Sequence, residues 1–74
     1  MDILKFFEWG HLPPHLQEVS RPFAHLAHDM ADKFPPSAEL VAGLRKLLEA
    51  KDCMVRAALA EHQAANTGEA SHTG

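Results

Sequence analysis

Two adjacent prolines near the middle of the chain, in Lys33-Phe34-Pro35-Pro36-Ser37, limit its fold more than any other feature. Proline lacks the amide that a helix interior needs and pushes its predecessor out of helical geometry. The segment therefore stops one helix. Ser37 or Pro36 opens the next, because serine can accept from the free amides of a first turn and proline wastes none there. Apolar residues at helical spacing lie on both sides. Upstream, Leu16, Val19, Phe23, Leu26 or Ala27, Met30 and Phe34 recur at steps of three and four. Downstream, Leu40, Val41, Leu44, Leu47, Leu48, Val55 and Leu59 form a second broad face. So short a break between amphipathic helices turns the chain back on itself. The predicted fold is all-α, an antiparallel two-helix hairpin over residues 13–63.

Pro13-Pro14 marks the start of the first helix, and Pro22 interrupts it. Either the helix kinks there, or Ser20 caps a fresh one with Arg21 and Pro22 in its first turn. The reading taken is a sharp kink or fresh start, giving a short helix over about 13–20 and a longer one over about 21–33. The last helix runs to about Gln63, and Gly43 within it costs about 1 kcal/mol relative to alanine. Ahead of the hairpin, residues 1–12 form an aromatic arm in which Ile3, Phe6 and Phe7 share a helical face and Gly10 ends the segment. The arm reads as a strap folded back on the hairpin, or as a ring, best Trp9, offered to a ligand or neighbouring chain. Residues 64–74 are small and polar without apolar period, and read as a disordered tail.

About 60 residues then remain to fold, a size at which one core is marginal without disulfides, metal or partner chains. Cys53 is the only cysteine, so no internal disulfide forms. Self-association is the expected remedy. The final helix carries a second stripe of mostly small residues, Ala42 or Gly43, Lys46, Ala50, Cys53 and Ala57, which permits close approach of a second protomer. Cys53 on it reads as a packed thiol. Arg45, Glu49, Asp52 and Arg56 line the remaining side, with Arg45 and Glu49 spaced for an i,i+4 ion pair. No repeat, Gly-rich phosphate loop or sustained heptad is read along the chain.

A net charge of −3 argues against non-specific binding to DNA or RNA duplexes, which takes a strong basic patch. Met1–Trp9 is apolar but broken by charge, too short for a signal peptide or a membrane span. With a free thiol, this points to the cytoplasm. Six histidines, His11, His15, His25, His28, His62 and His72, include helical pairs but no complete zinc set. They read as surface or interface groups, and no metal or cofactor is expected. The carboxylates Glu39, Glu49, Asp52 and Glu61 lie along an exposed helix without an implied apolar pocket, so no enzyme is expected. The cations are more informative. Arg21, Arg45 and Lys46, with the free amides of a helix starting at Ser37 and an aromatic ring at Trp9, are the parts of a site for a nucleotide-like anion. Inter-subunit salt bridges would use the same residues.

The segment Pro35-Pro36-Ser37-Ala38-Glu39-Leu40-Val41-Ala42-Gly43-Leu44-Arg45-Lys46-Leu47-Leu48-Glu49-Ala50 resembles the hairpin shared by bacteriophage anti-CBASS and Thoeris anti-defence nucleotide sponges. Ser37, Glu39, Leu44, Lys46, Leu47, Glu49 and Ala50 fit the Thoeris group's turn and helix, and Ala57-Ala58-Leu59-Ala60 fits its Ala-rich end. Leu26-Ala27 matches a pair on the earlier helix, and Trp9 before Leu12 is similar to the anti-CBASS arm. The resemblance covers about residues 9–60. It departs at Ala38, where the Thoeris group often has a basic residue, and at Ala24-His25, which lack the anti-CBASS lysine; Arg21 lies one turn earlier.

The resemblance implies a helical homo-oligomer, commonly a hexamer, acting in the infected bacterial cell. It implies capture of cyclic di- or trinucleotides, or cyclic ADP-ribose isomers, between subunits without cleavage. By the same carry-over Trp9 would stack on a base, Arg45 and Lys46 would contact phosphate, and Ser37 would serve at the helix start, with Arg21 as a further cation. The competing expectation is a small helical adaptor or antitoxin-like binder that uses the Phe6/Phe7/Trp9 arm or the small-residue stripe to hold a partner protein.

Overall fold

The computed structural model describes residues 2–67, with side chains through residue 65. A 3₁₀ helix, Asp2–Phe7, is followed by α1, Pro14–Lys33, and α2, Ala38–Thr67; among the described residues there is no strand. The two long helices pack against each other as an antiparallel hairpin, and the 3₁₀ arm lies against both.

Local chemistry explains the helix ends. The Pro13 carbonyl accepts from the amides of Leu16 and Gln17 at 2.9 and 3.0 Å. No side chain caps this start. Instead Gln17 Nε2 donates back to the carbonyls of Leu12 at 2.7 Å and Gly10 at 3.2 Å, tying the preceding turn to the helix. At the other end Phe34 is extended, φ −125° and ψ 145°, as the residue before a proline prefers. Ser37, rather than Pro36, opens α2: its Oγ accepts from the Leu40 amide at 3.0 Å and its carbonyl from Val41 at 3.0 Å.

Three expectations need correction. First, α1 does not restart at Pro22, and Ser20 is not a cap. One helix runs through, and Ser20 lies in the core at 1% exposure with no hydrogen-bond partner for its Oγ. The reason is the stripe Leu16, Ser20, Ala24 and Ala27, buried at steps of four, four and three across the proline. A break would divide that stripe. Pro22 faces solvent on the opposite side, where the lost bond to the Glu18 carbonyl and the crowding of that carbonyl by its ring cost stability without dividing the stripe. Second, Ile3, Phe6 and Phe7 do not share one face: in the 3₁₀ arm residues three apart eclipse, which aligns Phe6 with Ile3 and leaves Phe7 about 120° away. Phe7 is 1% exposed and Phe6 56%. Third, α2 continues past residue 63 to Thr67, since Ala64 and Ala65 are strong helix formers and no breaker precedes Gly68. The rest of the expected tail, 68–74, lies outside the described residues.

The core is thin. Its buried apolar residues are Phe7, Leu16, Ala24, Ala27 and Leu44, two of them alanine. The arm covers one side of the furrow between the helices. Phe7 packs there against Ala24, Ala27 and Leu44, with Ile3, Leu4 and Trp9 around it. The reading of the arm as a strap folded onto the hairpin agrees with this packing.

Candidate functional site

Trp9 and Arg21, twelve residues apart in sequence, meet in the fold. The arm ends at Trp9, whose carbonyl accepts from the Leu12 amide at 3.1 Å in the turn that Gln17 fastens to α1. This fixes the indole against the partly exposed flank of α1. Arg21, exposed on that flank, holds its guanidinium 5.4 Å from the indole centroid, and His25, one turn on, meets the ring edge-on at 6.4 Å and 80°. Trp9 is half-buried and packs against the core cluster. If the exposed guanidinium swings aside, the indole face it covers can stack a planar group and the guanidinium can bind an anion attached to that group.

Other candidate residues lie apart from this pair. Arg45 lines a shallow cavity of about 420 Å³ under the arm, with Asp2, Ile3, Phe6, Val41 and Leu48. The expected Arg45–Glu49 ion pair does not form. Among the described residues the ion pair present is Lys51 to Asp52 at 3.0 Å, between a largely covered lysine and a half-exposed carboxylate. Ser37 caps α2 at the other end of the hairpin. Lys46 is exposed and lines neither cavity. One protomer therefore brings Trp9 and Arg21 together but leaves Ser37, Arg45 and Lys46 dispersed.

Two features were not singled out from the residues. On the side of the furrow away from the arm is an open groove of about 650 Å³ formed by Leu26 and Met30 of α1, Phe34 just beyond it, and Leu40, Gly43 and Leu47 of α2. Leu26 and Phe34 are 45% and 54% exposed there. The signal was present in Leu26, one step off the buried stripe of α1, where an apolar residue has no partner within the hairpin. At the far end of the hairpin the imidazoles of His15 and His62 stack at 4.1 Å and 16°, with His15 Nε2 buried and without a partner. Cys53, expected to be packed, is exposed on this chain and accepts from the Arg56 guanidinium at 3.3 Å. Among the described residues no three His, Cys, Asp or Glu side chains are grouped to hold a metal ion, and no helix is long and apolar enough to cross a membrane. No protein-family model, curated protein or solved structure matches this chain significantly.

Proposed function

We propose that this protein is a non-catalytic binder that sequesters cyclic nucleotide messengers, cyclic di- or trinucleotides or cyclic ADP-ribose isomers, at the interfaces of a homo-oligomer in the phage-infected bacterial cell. The observation that carries the reading is the placement of the Arg21 guanidinium over the Trp9 ring. Base face and phosphate partner are what such ligands require, and the pairing is built by the fold rather than by sequence proximity. Dispersal of Arg45, Lys46 and Ser37 over one protomer accords with pockets completed by a neighbouring copy. A sponge works by mass action, so nanomolar affinity, about −12 kcal/mol, is required. One exposed arginine does not provide that, whereas several charge-assisted phosphate contacts with a stacked base in an enclosed interface do.

The test is isothermal titration of the protein against a panel of cyclic di- and trinucleotides and cyclic ADP-ribose isomers. Arg21→Ala and Arg45→Ala, both at exposed positions, are expected to weaken binding tenfold or more while the assembly keeps its mass. No heat with any member of the panel removes the reading. A second reading, a helical adaptor for a partner protein, draws support from Phe6, 56% exposed beside Ile3 at the rim of the Arg45 cavity. It predicts a defined hetero-complex that forms equally with and without nucleotides.

A further inference from the structure

One edge of α2 has a regularity that the hairpin uses only in part: Leu40 and Leu47 lean on the core, whereas Gly43, Ala50, Met54 and Ala57 are exposed. Leu40, Gly43, Leu47, Ala50, Met54 and Ala57 follow at steps of three, four, three, four and three, the spacing of a coiled-coil seam. The large residues, Leu40, Leu47 and Met54, alternate strictly with the small ones, Gly43, Ala50 and Ala57. The seam borders the open groove, which Leu40, Gly43 and Leu47 themselves line. Met54 is 48% exposed, and the space where a Gly43 side chain would stand is empty to 4 Å.

From this we infer that a second copy of the chain docks antiparallel along α2, with its own Met54 seated over Gly43 in the groove. The inference shares self-association with the reading above but not its ligand. Orientation follows from the alternation. Antiparallel helices oppose one class of seam position to the other, so every layer joins a large side chain to a small one; parallel helices would set Gly43 against Gly43 and leave voids. Register follows from charge. Pairing Leu40 with Ala57, Gly43 with Met54 and Leu47 with Ala50 gives six apolar layers by symmetry. A shift of one heptad either loses two of these layers or brings Glu61 over Gly43. In the favoured register Glu61 arrives instead beside Pro36 of the second copy, at the turn that carries Lys33; Glu39 is a charge of its own sign on the same rim.

Area sets a further condition. A stable pair buries about 800 Å² per partner, roughly a sixth of the 5153 Å² the chain exposes. The seam alone is about 26 Å long and one helix wide, which falls short. Contact with Leu26, Met30 and Phe34 across the groove must supply the rest, so the second copy touches both helices.

Sedimentation velocity at low-micromolar concentration tests the association. The wild type is expected at a multiple of 8.2 kDa. Ala50→Arg, at a position exposed in the lone hairpin, should reduce the assembly by at least one halving with helical circular dichroism unchanged. Glu49→Arg, on the opposite side of α2, should leave it as it was. A folded wild-type monomer, or an Ala50→Arg protein of unaltered mass, overturns the proposal.

Orientation is tested with Cys53→Ser as background. Gly43→Cys with Met54→Cys should oxidise to a covalent dimer, while Met54→Cys alone should not, because its two copies would lie roughly 16 Å apart along the axis. Cross-linking by Met54→Cys alone refutes the antiparallel register. Nucleotide heats measured in parallel separate the two readings. A cross-linked dimer giving no heat upholds the docking and defeats the ligand; a wild-type monomer that binds nucleotide does the reverse.

Discussion

Replacing Phe7 and Phe6 by alanine, one at a time, tests the packing of the arm with neighbouring residues of one type. Phe7 is 1% exposed among Ala24, Ala27 and Leu44, so its loss removes a full transfer term and opens a cavity beside two alanines that cannot fill it. Buried Phe→Ala changes cost about 3–5 kcal/mol. Phe6 keeps 56% of its surface in water, so truncation forfeits less than half of the roughly 1.5–3 kcal/mol available on full burial, about 1 kcal/mol. A single core of this size supplies only about 3–5 kcal/mol in all. Phe7→Ala should therefore abolish cooperative folding or leave a residue of about 1 kcal/mol, whereas Phe6→Ala should shift the urea midpoint modestly at constant slope. Urea titration followed by far-UV circular dichroism at one fixed protomer concentration reads both, since association adds to apparent stability. Equal losses from the two variants would mean that the two rings are buried alike and would refute the docking of Phe7 into the furrow.

Further expectations concern α1. Pro22→Ala should stabilise by up to about 3 kcal/mol, because it restores an amide donor to the Glu18 carbonyl at a solvent-facing position inside a continuous helix; had a helix begun at Ser20, proline would suit its first turn and the same change would lose stability. Ser20→Ala should add about 1 kcal/mol by removing a buried hydroxyl that has no partner, and a drop in the urea midpoint would show that the hydroxyl is bonded after all.

The hairpin was legible because its signals are local and redundant. Pro35-Pro36 admits no helix, Ser37 is a good cap, and the apolar steps on both sides point to one shared furrow. Pro22 misled because a local rule was applied without its tertiary counterweight. Whether a proline breaks a helix depends on which way it faces, and that is decided by the stripe Leu16, Ser20, Ala24 and Ala27, whose burial needs a partner helix to be seen. The arm misled for a related reason. Ile3, Phe6 and Phe7 fit an α period as well as a 3₁₀ one over so few residues, and only docking against Leu44 separates them.

The candidate site divides along the same line. Trp9 and Arg21 could be named from residue type, but their meeting depends on the arm folding back, which places the indole beside α1 at a distance no spacing rule contains. Arg45 and Lys46, adjacent in sequence, diverge by a third of a helical turn, one to the arm cavity and one to open solvent. Neighbours in sequence on a helix therefore serve one small ligand together only when something bridges their two faces; in the function proposed above, that bridge is a second copy. The apolar seam on α2 reaches the same requirement from packing alone: Met54 and Gly43 are complementary in shape yet eleven residues apart on one rigid helix, so they can meet only between chains. Charge dispersal and seam complementarity use no residue in common, although Lys46 flanks the seam and only Arg45 lies on the opposite side of α2.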